Sequence, residues 1–286
     1  MAKLMVVTTY VDEIPLHAGG LIANHAEAGD EVVVIVLCYP GYPSKVVYPE
    51  AREEGNLYGR FKTKQNYTDR VASKEKQDVA EVLGINEILT LDYEAYGDEL
   101  FSGELIDKFA SLINKYTPDI VVTHWPIGDY TDFIAAGSGV MRTIISKKLK
   151  KIPRVYFSET LTGKHTLCFK PTIYVDISET MEKKRKACSC IWKGMTEEYF
   201  FWPFAEPIAS FRGRECGVRY AEAYAQLYGT FGILRGPGLT VTEDRHPMSV
   251  DRTVKRLVRG NFREGTYPTY GPNQDPKYEP DRKLGK

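Results

Sequence analysis

The stretch Leu4–Ala23, LMVVTTYVDEIPLHAGGLIA, decides the fold. Leu4 to Val7 is an apolar run without alternation, the pattern of a strand covered on both faces. It stops at Thr8-Thr9. Gly19-Gly20 then allows close backbone packing where the chain turns into a helix over Leu21–Ala28. Between strand and helix stand Tyr10, Asp12, Glu13 and His17. In open α/β sheets ligands bind outside the carboxyl ends of the strands, so these four side chains are placed where chemistry is usually done.

Working outward, Glu31–Cys38 (EVVVIVLC) predicts a second parallel strand, and Gly29-Asp30 before it makes the turn that completes a βαβ unit. Tyr39–Tyr67 is rich in Gly, Pro, Tyr and charge and predicts a long loop. Its Arg52, Arg60 and Lys62 either reach an anionic substrate group or belong to a solvated surface. Thr68–Leu83 returns to helical spacing. Glu87–Leu91 is the third strand, a helix through Leu105 and Ile113 ends before Pro118, and Asp119–Thr123 is the fourth strand. Val155–Phe157 and Thr172–Val175 are further strands. Ser178–Lys193 predicts a helix whose basic run, Lys183 to Lys186, is solvated. Arg212–Tyr228 predicts a late helix. From Val241 to Lys286 prolines recur and apolar residues are few, which predicts an extended arm able to lie across a neighbouring subunit. The expected architecture is α/β, Rossmann-like, with a mostly parallel sheet, helices on both faces and an extended C-terminal arm. Residues 1–240 form the domain and 241–286 the arm.

Composition narrows the function. With 43% hydrophobic residues, the chain of 286 can bury one sizeable core. Lys+Arg and Asp+Glu both number 38, so no global field favours nucleic acid or an anionic membrane. A small-molecule substrate is the expected partner, and the arm suggests a homo-oligomer. The start fits neither a signal peptide nor a membrane anchor, which predicts a cytoplasmic protein. The five cysteines are scattered and odd in number, as free thiols in a reducing compartment would be.

A second polar loop follows the fourth strand: Thr123-His124-Trp125-Pro126-Ile127-Gly128-Asp129-Tyr130-Thr131-Asp132-Phe133. Parallel strands bring it to the same sheet edge, so His124, Asp129, Tyr130 and Asp132 converge on the first cluster. His17 either caps the helix start or faces the pocket, and His124 either bonds backbone or binds substrate. His25 reads as surface. Glu159 is a weaker candidate on the same edge, and His165 has no evident partner.

Together, Tyr10-Val11-Asp12-Glu13, the Gly-Gly helix start, the Thr-His-Trp-Pro strand end, the Asp132 loop and the segment Gly217–Tyr224 resemble the LmbE/PIG-L family of zinc-dependent deacetylases. The resemblance spans roughly Met1 to Gly229. It implies a Rossmann-like sheet, a first motif A-H-P-D-D-E and a second H-P-D-H. In that pattern zinc is held by the first His, the second Asp and the last His, with the first Asp as general base. Carried over, the first His falls on Tyr10, the base on Asp12 and the zinc Asp on Glu13. The second motif falls on Tyr130, Asp132 and Phe133. Phe133 cannot ligate and neutral Tyr10 is a poor zinc ligand, so the expectation is no cofactor and no metal residue in the usual place. Leu16-His17-Ala18-Gly19-Gly20 also resembles a family branch with W-R-A-G-G, which includes hydratases of small unsaturated dicarboxylates.

Three readings result. The first is an enzyme of general acid/base chemistry, performing deacetylase-like hydrolysis or hydration/elimination on a small polar or anionic substrate. Asp12, Glu13, Tyr130 and Asp132 are its catalytic residues, and Tyr10, His17, Arg60, His124 and Asp129 bind substrate. A variant places Mg²⁺ or Mn²⁺ among Asp12, Glu13, His17 and Asp129. The second is a zinc N-deacetylase with replacement ligands such as His17 or His124. The third is an inactive small-molecule-binding or scaffolding homologue.

Overall fold

The computed structural model describes residues 1–38, 69–93, 97–146, 148–159, 165–191, 194 and 196–227. The expected Tyr39–Tyr67 loop, with Arg60, and the 241–286 arm lie outside them.

Seven strands form one sheet in the order β3-β2-β1-β4-β5-β7-β6. In chain order these are β1 (Lys3–Thr8), β2 (Glu31–Cys38), β3 (Glu87–Tyr93), β4 (Ile120–His124), β5 (Arg154–Ser158), β6 (Ile173–Asp176) and β7 (Ala221–Gln226). The first five strands in the sheet order run parallel, and β7 inserts antiparallel between β5 and β6. This is the expected α/β architecture. Because β1 pairs with both β2 and β4, the chain reverses its winding there, and the crevice beyond Thr8 and His124 is a topological switch point.

The β-branched runs form strands because successive side chains feed two separate cores. Leu4, Val6, Val34 and Val122 point to one core, packed by helices α1 (Glu13–Glu27), α2 (Asp69–Leu83), α5 (Met181–Ser189) and α6 (Glu206–Cys216). Met5, Val7, Ile35 and Val121 point to the other, under α3 (Gly103–Tyr116) and α4 (Thr131–Ile145).

Four expectations are corrected. The first helix begins at Glu13 rather than Leu21, so Glu13 and His17 lie on it and not in a loop. The expected late helix is two elements: α6 ends at Cys216, Gly217 takes a left-handed φ of 80°, and Ala221–Gln226 is a strand. Ala, Glu and Gln favour helix locally, but pairing with β5 and β6 on both sides overrides that preference. Lys184, read as solvated, is buried. His25, read as surface, is fully buried on α1, its Nδ1 2.9 Å from Asp30 Oδ2.

Burial lowers the His25 pKa from 6.5 to about 4, against the pull of Asp30. Between those values the unfolded chain binds a proton that the folded chain refuses, so the contribution to stability is lost as pH falls from 6.5 towards 4. The shift corresponds to roughly 3 kcal/mol. Urea unfolding across that range should show a steeper decline for the wild type than for His25→Gln; parallel profiles would remove His25 as the source.

Candidate metal centre at the sheet switch point

Helix α1 is broken at Ala18, whose φ of −134° and ψ of 16° are non-helical. A helix that restarts there leaves backbone N–H groups without carbonyl partners. Glu222 of β7 supplies the missing acceptors: Oε1 takes the Gly20 N–H and Oε2 the Leu21 N–H, both at 2.9 Å. Lys184 Nζ donates to Oε1 at 2.6 Å and Tyr224 Oη to Oε2 at 2.8 Å, so the buried carboxylate is fully partnered. Gly20 is required by what lies above it, since a Cβ there would collide with the Ile177 side chain. Beside His17 lies a cavity of about 30 Å³ bordered by Glu159, Lys184, Ile208, Ala209 and Glu222, room for one or two waters.

The turn before the break carries Glu13 and His17, four residues apart and therefore on one face. Glu13 Oε2 lies against His17 Nε2, and His124, ending β4, meets His17 edge-on with ring centroids 4.6 Å apart. One ligand atom from each of Glu13, His17 and His124 lies within 4.8 Å of the others, and all three residues are buried. Glu13 Oε2, His17 Nε2 and His124 Nδ1 have no hydrogen-bond partner.

The histidine tautomers follow from the neighbours. His17 Nδ1 is 3.0 Å from the Glu159 carbonyl oxygen, which only accepts, so Nδ1 carries the hydrogen and Nε2 presents a lone pair. His124 Nε2 is 3.0 Å from Thr8 Oγ1, a hydroxyl that can donate or accept, and Nε2 accepts from the Thr9 N–H at 3.4 Å; Nδ1 presents a lone pair in the tautomer that donates to Thr8 and gives up the Thr9 contact. Burial first, and His17 second, hold His124 well below its ordinary pKa; burial, with Lys184 and His165 adding to it, lowers that of His17 to about 3. Both imidazoles are neutral and fit to ligate. Glu13 is raised well above the ordinary carboxylate range by burial and then by Asp12, an effect a bound cation would reverse.

Three buried ligand atoms within 4.8 Å of one another, one carboxylate and two imidazoles, could hold a cation once it displaces their protons. Two histidines and a glutamate are a donor set used by catalytic zinc. The expectation of no cofactor and no metal residue is therefore not supported: Glu13, His17 and His124 can hold a metal ion. The oxygen-rich set is not assembled, because Asp129 turns away to His165, Nδ1 to Oδ1 2.6 Å. The spacing Glu13-x-x-x-His17 could have disclosed the pair had the helix been started at Glu13.

The remaining candidates surround the trio. Asp12 is the half-buried N-cap residue of α1; burial pushes its pKa up to about 7, with backbone N–H groups opposing and Glu75 adding to the rise. Tyr10 donates its hydroxyl to buried Asp132, and burial, then Tyr130 and Asp132, hold the Tyr10 phenol far above its usual pKa. Tyr10 is thus a hydrogen-bond donor here and no metal ligand. Phe133 stacks on His124 at 4.4 Å and 12°, and Tyr130 tilts against Phe133 at 4.6 Å.

A helix-flanked, mostly parallel sheet with a buried two-His, one-Glu cluster at its switch point defines an α/β protein in which three side chains could hold a metal ion. Residues 5–144 match the PIG-L family, described as GlcNAc-PI de-N-acetylase. Over those residues the chain is similar to this PIG-L (LmbE-like) family. It is 26% identical over 245 residues to diacetylchitobiose deacetylase of Thermococcus kodakarensis, covering 80% of this chain and 84% of that one. The N,N'-diacetylchitobiose deacetylase structure from Pyrococcus horikoshii superposes with a TM-score of 0.61 at 21% identity, covering 84% of this chain and 88% of that chain. The 4-carboxy-2-hydroxymuconate hydratase structure from Pseudomonas putida gives 0.62 at 21% identity, over 82% and 100%. The two superpositions speak for the fold.

Breaking the Lys184–Glu222 pair should loosen the kink that aims His17. Lys184→Met leaves a buried carboxylate uncompensated and should cost about 3–5 kcal/mol in urea unfolding. Adding Glu222→Gln should recover part of that loss. A cost below about 1 kcal/mol for Lys184→Met would show that the pair does not hold the helix.

Proposed function

We propose that the protein is a metal-dependent N-deacetylase that hydrolyses the acetamide of an N-acetylated amino sugar. The observation that carries the reading is the convergence of Glu13 Oε2, His17 Nε2 and His124 Nδ1 as buried donors without partners. The family match over residues 5–144 and the similarity to a curated deacetylase support the same reaction class.

A zinc ion held by Glu13, His17 and His124 would supply Lewis acidity towards the acetamide carbonyl and a water. Asp12, adjacent to Glu13 and the base position of the family pattern, accepts the proton that the attacking water loses. Tyr10 holds Asp132 in place, and Tyr130 with Phe133 forms an aromatic wall beside His124. This wall suits the apolar face of a sugar ring and its acetyl methyl. Thr8 and the Glu159 carbonyl hold the two imidazoles, while Glu13 Oε2, which lies against His17 Nε2, has to draw back to admit an ion.

A second reading, addition of water to an unsaturated dicarboxylate, is favoured by Leu16-His17-Ala18-Gly19-Gly20, the segment that carries His17 into the centre.

Protein purified without chelator should contain close to one zinc per chain by elemental analysis. Glu13→Ala, His17→Ala and His124→Ala should each lose most of it. The wild type should release acetate from N-acetylglucosamine or diacetylchitobiose, and Asp12→Asn should keep the metal while losing about 10²–10⁴-fold in kcat. A metal-free active wild type would overturn the metal centre. A zinc-loaded protein that hydrates an unsaturated dicarboxylate and leaves acetamides intact would favour the second reading.

A further inference from the structure

Beside the trio, on the rim of the crevice, stands a second pair of groups. His165 precedes β6 in the chain, and its Nδ1 lies 2.6 Å from Asp129 Oδ1 in the loop between β4 and α4. A carboxylate only accepts, so Nδ1 carries the hydrogen and Nε2 is left for exchange. The His165 ring meets Tyr130 at 5.7 Å and Phe133 at 5.9 Å, edge to face in both cases. Phe133 in turn stacks on His124, so a single aromatic ring separates His165 from a metal-facing imidazole.

The segment bearing His165 is fixed independently of that bond. Leu167 N–H donates to the Ile127 carbonyl at 3.1 Å, and Trp125 Nε1 donates to the Leu167 carbonyl at 2.9 Å. At Gly128 a Cβ would collide with the His165 carbonyl oxygen, so this glycine lets the two loops close on one another. Such anchoring on the β4–α4 loop suits a group that must be held in a fixed orientation. The His165 side chain is 22% exposed, against 4% for His17, so it can exchange protons with solvent while the trio stays buried.

We propose that His165, oriented by Asp129, is the proton donor to the leaving group at this site. This role rests on the deacetylase reading above. The step balances as follows. A water oxygen bonds to the acetamide carbon and gives up a proton to Asp12. As the C–N bond breaks, its electron pair goes to nitrogen, which takes the Nε2 proton of the His165 imidazolium. The products are acetic acid, which gives its proton to solvent to become acetate, and free amine; His165 regains a proton from solvent, and Asp12 releases the one it took. An amide nitrogen leaves poorly as an anion, so donation is needed there, whereas a phenolate with a low pKa leaves without it.

The test compares His165→Gln and Asp129→Asn with the wild type, all zinc-loaded, on N-acetylglucosamine and on 4-nitrophenyl acetate. His165→Gln should lose about 10²–10⁴-fold in kcat on the amide while keeping zinc content and most of its ester hydrolysis. Asp129→Asn should lose less, in the same selective pattern. Imidazole added to His165→Ala should restore part of the amide activity. Equal loss on both substrates would assign His165 a structural role and overturn the proposal, as would unchanged amide turnover. A zinc-loaded wild type that cleaves the ester but no acetamide would instead overturn the deacetylase reading, and this role with it.

Discussion

A buried carboxylate from the last described strand sits on the backbone of the first helix. Glu222 receives the N–H groups of Gly20 and Leu21 where α1 breaks at Ala18, and Lys184 of α5 neutralises it. Without an acceptor at that point the helix would have to run straight or leave donors unpaired in the core, each costing on the order of 1–3 kcal/mol. The segment before the break carries Glu13 and His17, and His17 meets His124 at the end of β4. Lys184 also lowers the His17 pKa alongside the larger effect of burial, so the charge that steadies the cap helps keep that imidazole neutral. Backbone geometry and donor chemistry at the centre thus have a common source outside it.

Against the family pattern, residues able to ligate stand at other positions of the same crevice. Of the positions that carry zinc in that pattern, Tyr10 has become the anchor of Asp132 and Phe133 has become a ring stacked on His124. Glu13 keeps a carboxylate. The two imidazoles that face it come from one helical turn onward and from the end of β4. Motif comparison position by position registers two absences there, because the replacements lie near in space and elsewhere in the chain.

The sheet was readable from sequence where burial on both faces writes an unbroken β-branched run, as in Leu4–Val7 and Glu31–Cys38. It was misread where the strand is made of small residues. Ala221-Glu222-Ala223-Tyr224-Ala225-Gln226 carries helix formers in alternation, and only its two neighbours make it a strand. The polar core was hidden for a related reason. Lys184 stands in a run of four basic residues, and nothing local distinguishes the one that faces Gly19 and Glu222. The crevice itself was legible, since Asp12, Glu13, His17 and His124 all follow from strand ends at one sheet edge. The trio of Glu13, His17 and His124 was not, because it needed the start of α1 at Glu13.

The Glu222 cap also has a consequence for biosynthesis. The donors lie at positions 13, 17 and 124, yet the group that sets the bend between the first turn and the rest of α1 is not synthesised until residue 222. A nascent chain emerging from the ribosome can pair β1, β2 and β4 well before β7 exists, but its first helix lacks the acceptor that fixes the break. A truncated chain that ends before β7 would retain Glu13, His17 and His124 and yet lack the carboxylate that receives the Gly20 and Leu21 N–H groups at the break.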